Sequence, residues 1–188
     1  MNGAVTAVHE LVGAIVPFDA LEEAHRSDTL AWLERTDDVF RRAKPAIPSP
    51  HLVAYVAVVD PYDGASLLVD HRSAGRWLPA GGHVEPGEHP TATARREARE
   101  ELGIVAAVFR NEQDTPVFVT VTETVGNGAG HTDVSLWFVL EMGRGVPRAT
   151  ALAEFRSIRW WTAADIAAAD PCLFDPHFTR FVAKLGLA

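Results

Sequence analysis

Apolar residues at the start of the chain recur at helical spacing. Val5, Val8, Leu11, Val12 and Ile15 share one face of a helix that Pro17 must stop. Asp19 can cap a second helix, with Glu22 as its capping-box partner and Leu21, Leu30 and Leu33 as a partial apolar face. Thr36 or Asp37 can open a short third helix that ends before Lys44-Pro45. The stretch Pro45-Ala46-Ile47-Pro48-Ser49-Pro50 has three prolines in six residues, which predicts a stiff, extended linker.

After the linker the period changes. Residues 51–60 are Val-rich and nearly continuous in hydrophobicity, as in a strand buried on both faces. Turn chemistry in Pro61-Tyr62-Asp63-Gly64 leads to a returning strand over 66–70, and 71–76 reads as a loop. Pro90 suits the first turn of a helix over 90–102, in which Ala94, Ala98 and Leu102 form a buried stripe and Gly103 supplies the stop. Residues 115–125 and 133–142 alternate as strands on either side of a flexible turn over 126–130. Residues 158–161 form a short strand with Trp160 and Trp161 on opposite faces, and Thr162 caps a helix through Ala169. Asp175 caps a last helix with Phe178, Phe181, Val182 and Leu185 on one face, read as core or a dimer contact. The order predicts a helical extension over 1–48 and one domain over 49–188, strands enclosing a helix: an α/β fold with a mixed sheet.

Composition narrows the class. With 188 residues, 47% hydrophobic and 22% charged, the chain can bury a sizeable globular core. No apolar run approaches the roughly 18 to 20 residues that cross a bilayer. Met1-Asn2-Gly3-Ala4 lacks the basic start of a secretory signal, so a cytoplasmic protein is expected, with no membrane partner. The net charge of −8 argues against long nucleic acid as a partner, since phosphate neutralisation needs clustered Lys and Arg. It does not exclude a small anionic ligand carried through a metal. The one cysteine, Cys172, lies between apolar neighbours with no basic residue beside it, and is expected to be a packed small hydrophobe.

The candidate chemistry is on the helix over 90–102. Glu97, Glu100 and Glu101 fall on one side of it, at the i+3 and i+4 spacings that bring side chains together. Helices rich in Glu and Arg are usually solvated faces, and like charges at that spacing repel. A divalent cation such as Mg²⁺ or Mn²⁺ reverses the sign of that interaction, because it takes hard oxygen ligands. Arg96 is placed to hold Glu100 four residues on, Glu88 lies just before the helix, and Gly81 and Gly82 let backbone approach closely enough for a carbonyl to join the ligands.

The spacing around these residues is more specific than the helix alone. Gly82-His83-Val84-Glu85-Pro86-Gly87-Glu88, seven residues, and then Arg96-Glu97-Ala98-Arg99-Glu100-Glu101-Leu102-Gly103-Ile104 resembles the Nudix box, G-x5-E-x7-R-E-U-x-E-E-x-G-U with U a bulky aliphatic residue. Every fixed position is matched, and Ala98 is smaller than the usual aliphatic. The lead-in Leu78-Pro79-Ala80-Gly81-Gly82 is also similar to the family's.

The resemblance implies an α/β/α sandwich around a mixed sheet, with the box as its loop–helix–loop. It implies hydrolysis of a nucleoside diphosphate linked to another group, or of a (d)NTP: water attacks phosphorus in line while Mg²⁺ or Mn²⁺ neutralises the leaving phosphate. On it, Glu100 and Glu101 are the principal metal ligands, Glu97 is a ligand or the base, and Gly81 lends a carbonyl. Arg96 orients them, with Gly82, Glu88 and Gly103 in support. Outside the box, Arg72, Arg76 and Trp77 are candidates for binding substrate, and His131, Asp133, Glu123 and Glu154 for a further ligand or base. Pro116 falls twelve positions after Ile104, short of the offset that marks ADP-ribose enzymes, and Tyr55 and Tyr62 are both upstream of the box, so the substrate stays open. Two rival readings use the same scaffold: a nucleotide-sensing module without turnover, and an isopentenyl diphosphate isomerase, whose catalytic cysteine Cys172 does not match in position. A homodimer is compatible with the sequence.

Overall fold

The computed structural model describes residues 2–43, 47–105, 108–111, 113–124, 130–144 and 153–187. The elements in chain order are helices α1 (Gly3–Ala14) and α2 (Ala20–Leu33), strands β1 (His51–Val59), β2 (Ser66–His71), β3 (Arg76–Leu78) and β4 (Ala80–His83), and helix α3 (Pro90–Leu102). There follow β5 (Val108–Phe109), β6 (Phe118–Thr124), β7 (His131–Glu141), β8 (Phe155–Trp161), helix α4 (Ala163–Ala168), a 3-10 turn (Pro171–Leu173) and α5 (Phe178–Lys184). The sheet runs β3-β2-β1-β7-β5, with β4 beside β1, β6 beside β7 and β8 beside β2. This is an α/β fold with N-terminal helices, as the hydrophobic pattern predicts. The turn over 126–129 and the prolyl segment at 44–46 lie outside the described residues.

Two compact units divide the chain. The first comprises Met1–Tyr55, Gly81–Ala94 and Asp114–Phe138. In it α1 packs on α2 and α2 packs on β6. The apolar stripe of α1 is buried as its spacing requires: Val5 and Val12 are wholly inaccessible and Val8 is 2% exposed. Asn2 caps α1, its side chain accepting from the Val5 N–H at 3.0 Å. The Arg26 guanidinium takes up two carbonyls at the other end, those of Val12 and Gly13 at 3.3 and 2.9 Å. Asp19 caps α2, but the buried face of that helix is Glu22, Thr29 and Leu33, and Leu21 is 46% exposed. Glu22 reaches past the cap to accept from the Phe18 N–H at 2.7 Å, which draws its carboxylate inward and turns Leu21 out.

The expected third helix does not form over 36–43. Thr36 Oγ1 bonds both the N–H and the carbonyl of Asp38, and the Asp38 carboxylate accepts from the Phe40 N–H at 3.1 Å and from Arg42. These short-range side-chain bonds compete with helical ones and fix an irregular chain. Ala43 and Ile47 pair as an antiparallel bridge. β6 and β7 pair antiparallel in an unbroken register from Phe118↔Trp137 to Thr124↔His131. Trp137 is fully buried and satisfies its indole N–H on Thr120 Oγ1 at 3.0 Å.

The second unit comprises Val56–Ala80, Arg95–Gln113 and Val139–Ala188. β2 is its hub, antiparallel to β1, to β3 and to β8. Its core is aromatic: Trp161 meets Phe174 edge to face at 4.9 Å, and Phe174, Phe178 and Phe181 are at most 1% exposed. The apolar face of α5 is therefore core. Thr162 and Asp165 form a reciprocal capping box at α4. His177 is the N-cap of α5, and Asp175 acts one step earlier by accepting from the His177 N–H at 2.8 Å. Cys172 departs from its expected packing. It sits exposed in the 3-10 turn, where Asp170 holds its N–H at 2.9 Å and Phe174, two residues on, takes the buried position instead. Among the described residues no helix is long and apolar enough to cross a membrane.

Candidate active site

Helix α3 starts at Pro90, where a missing N–H costs nothing, and buries Ala94, Ala98 and Leu102 to 1% exposure or less. Glu97 and Glu101 adjoin this stripe and are only 8% and 7% exposed as residues, whereas Glu100 faces outward. The Arg96 guanidinium donates to Glu97 Oε1 at 2.7 Å and to Glu100 Oε2 at 3.2 Å, so one arginine nitrogen spans two acids. Arg99 approaches Glu100 Oε1 at 3.8 Å on the exposed side. Gly103 ends the helix in the left-handed region, φ +66°, with its N–H on the Arg99 carbonyl at 3.1 Å.

The segment before α3 is set by close backbone contact. A Cβ on Gly81 would overlap the Ala54 carbonyl and stand 2.9 Å from Tyr55 Cα, so only glycine lets β4 lie this near β1. Gly82 follows, half-buried in β4. Glu88 accepts from Thr93 Oγ1 at 2.7 Å and from the Glu85 N–H at 3.3 Å, which fixes the approach to the helix.

The candidates outside the box differ in their surroundings. Arg72 is exposed in the turn after β2, and its backbone N–H bonds the Glu154 carbonyl at 2.8 Å. Arg76 donates to the Phe174 carbonyl at 3.1 Å, and Trp77 meets Trp161 edge to face at 5.2 Å. Both are half-buried beside the aromatic core of the second unit. Glu123 and Glu154 are exposed.

His131 and Asp133, both expected as candidates, belong to a cluster of four residues. They are two residues apart on β7, hence on one face of it, and they meet His51 of β1 and His83 of β4. One ligand atom from each of the four lies within 4.8 Å of every other. His51 is wholly inaccessible. Burial, and next the charge of Arg41, pushes the His83 imidazole down to about 4 against the opposing pull of Asp133. The signal for His51 was a polar residue opening an otherwise apolar strand; for His83 there was none, since it occupies a free position of the box.

The profile of the NUDIX domain matches residues 50–181. The chain belongs to the Nudix family.

Among curated Nudix relatives, mouse (Mus musculus) diphosphoinositol polyphosphate phosphohydrolase 3-alpha is 34% identical over 93 residues, which is 42% of this chain and 57% of the relative. The chain thus spans little more than half the length of that protein. Nucleoside triphosphatase NudI of Escherichia fergusonii is 30% identical over 113 residues, 57% of this chain and 80% of the relative. Two solved structures share the fold. The E. coli dihydroneopterin triphosphate pyrophosphohydrolase has a TM-score of 0.57 at 19% identity, over 72% of this chain and 94% of that one. A NUDIX-family hydrolase from Clostridium perfringens has 0.55 at 19% identity, over 74% and 99%. In Nudix terms, all the fixed carboxylates of the box are present, and the arginine that opens its second half is bonded to two of them.

Proposed function

We propose that this Nudix chain is a pyrophosphohydrolase that cleaves a phosphoanhydride bond in a nucleoside diphosphate linked to another group, or in a nucleoside triphosphate. The observation that carries the reading is the pair Glu97 and Glu101, one helical turn apart and each less than a tenth exposed within a complete box. Removing carboxylates from water costs several kcal/mol each unless other charges offset it. Arg96 provides one such charge. The donor set, hard carboxylate oxygens on a rigid packed helix, fits Mg²⁺ or Mn²⁺ as the next. Glu97, Glu100 and Glu101 would hold that cation, which when bound neutralises charge on the phosphates.

The chain's own residues do the rest by placement. Arg96 sets the directions of Glu97 and Glu100, and the buried stripe of α3 keeps that acidic edge from shifting. Arg72, exposed and cationic, is better placed for a phosphate than Arg76 or Trp77, whose contacts are internal. The substrate is a small nucleotide or nucleotide-linked diphosphate rather than long nucleic acid, in keeping with the acidic surface.

A hydrolysis screen over nucleoside triphosphates, nucleotide sugars, ADP-ribose and dinucleoside polyphosphates, with Mg²⁺ or Mn²⁺, tests this. Turnover of at least one class is expected, and Glu101→Gln should lower kcat at least about a hundredfold, since a metal's charge stabilisation is worth several kcal/mol. Nucleotide binding with no turnover of any compound would favour the sensing module instead.

A further inference from the structure

The cluster of His51, His83, His131 and Asp133 uses none of the box carboxylates, and its chemistry is different in kind. Asp133 Oδ1 is fully buried and lacks a hydrogen-bond partner among the described residues, yet three imidazole Nε2 atoms surround it. His51 lies at 2.9 Å, His131 at 3.4 Å and His83 at 4.0 Å. His51 and His83 face each other through Nε2 at 3.1 Å.

The tautomers follow from the outer contacts. His51 Nδ1 is 2.6 Å from the Pro48 carbonyl, an acceptor, so in the neutral imidazole Nδ1 carries the proton and Nε2 a lone pair. Thr124 Oγ1 donates its one proton to the His131 carbonyl at 3.0 Å. The 2.9 Å contact between that oxygen and His131 Nδ1 must then be donated by the imidazole, which in its neutral form leaves His131 Nε2 as a lone pair too. Two nitrogen lone pairs and a carboxylate oxygen therefore point at one place. Acceptors crowded in this way repel unless a cation lies among them. An imidazole whose far nitrogen donates to a carbonyl or hydroxyl is also the form in which histidine binds metals, oriented and made more basic by that outer bond.

We propose that these four side chains form a second metal centre, for a divalent transition cation of the zinc class. Imidazole suits Zn²⁺ and its neighbours, whereas Mg²⁺ and Mn²⁺ favour the oxygen donors of the box. With metal–nitrogen bonds of about 2.0–2.1 Å, the edge of a tetrahedron is about 3.3 Å. Four of the six separations, 2.9, 3.1, 3.4 and 4.0 Å, scatter around that value, and none of the six exceeds 4.8 Å. Four protein ligands close a tetrahedral site, so its role is to tie β1, β4 and β7 together. The Ser49 hydroxyl, which accepts the Thr132 N–H at 2.9 Å, already joins two of the three segments that carry ligands.

The test reads metal content rather than turnover, so its failure is separate from failure of the hydrolase reading. The full chain would be dialysed in excess Mg²⁺, to occupy the oxygen site, with trace Zn²⁺, and its metals counted. About one zinc per chain is expected, lost in His131→Ala and Asp133→Ala but retained in Glu101→Gln. X-ray absorption at the zinc edge of the wild-type chain should show imidazole scattering in a four-coordinate shell, a result that needs no variant to fold. Cobalt substitution should give the intense visible bands of a tetrahedral ion. A wild-type chain that holds no zinc, a zinc shell without imidazole, or zinc undiminished in both histidine-cluster variants would overturn the proposal.

Discussion

Asp175 shows how one carboxyl can work against the fold that holds it. It is 7% exposed, and burial pushes its carboxyl up to about 6 from 3.8, although the His177 N–H and the charge of Arg76 pull the other way. The folded chain therefore binds this proton more tightly than the unfolded one. The stabilisation is fully present below about pH 4 and is lost as pH rises through about 6. About two pH units correspond to at most about 3 kcal/mol. Asn at this position keeps a carbonyl for the His177 N–H and has no charge to bury. Asp175→Asn should thus raise the melting temperature at pH 7.5 by a few degrees and flatten its fall between pH 4 and 6.5. A melting temperature unchanged or lowered across that range would refute the account. The sequence suggests Asp175 as a cap but carries no hint of its burial, because that depends on packing against a distant segment: the Asp175 N–H bonds the Trp77 carbonyl at 3.2 Å.

At the level of elements, helix α3 was legible from its punctuation and the third N-terminal helix was misread for want of it. Pro90 and Gly103 bracket α3, and the residues between them repeat their apolar character every four positions. In residues 36–43 Thr36, which can open a helix, and Asp38 instead bond their own neighbours. Local composition cannot decide between those uses; the burial of Val39 and Phe40 against the start of β1 does. Gly103 carries its own expectation. Its φ of +66° is strained for a side chain, so Gly103→Ala should lower the urea-unfolding free energy by about 1 kcal/mol. A variant as stable as the parent would mean that the last turn of α3 can end another way. The histidine cluster lies at the opposite extreme of legibility. His51, His83 and the His131–Asp133 pair are on three separate strands, and only the register of the sheet brings them together.

For the molecule as a whole, the sequence predicts residues 1–48 as a helical extension to the domain over 49–188. α2 packs on β6, and Leu33, at the end of α2, has no exposed surface. An appendage could lose that side chain at little cost. A core element cannot: Leu33→Ala should destabilise the protein by about 2–5 kcal/mol in a single cooperative transition. Two separate transitions, or a loss below 1 kcal/mol on that same scale, would return the helices to the status of a tether. The longer helices and strands and the Nudix box are recoverable from periodicity and spacing because both signals are short-range. The polar groups that the chain buries, His51 and Asp175 among them, are not.

The exposed thiol of Cys172 sets a limit of a different sort. Because these 188 residues contain one cysteine and it lies at the surface, air oxidation can couple chains only in twos. Storage without reductant would then produce a covalent dimer that imitates a native one and never grows larger. The same arithmetic is useful: a thiol-directed dye or spin label finds a single address, in the turn ahead of α5, on the unmodified protein.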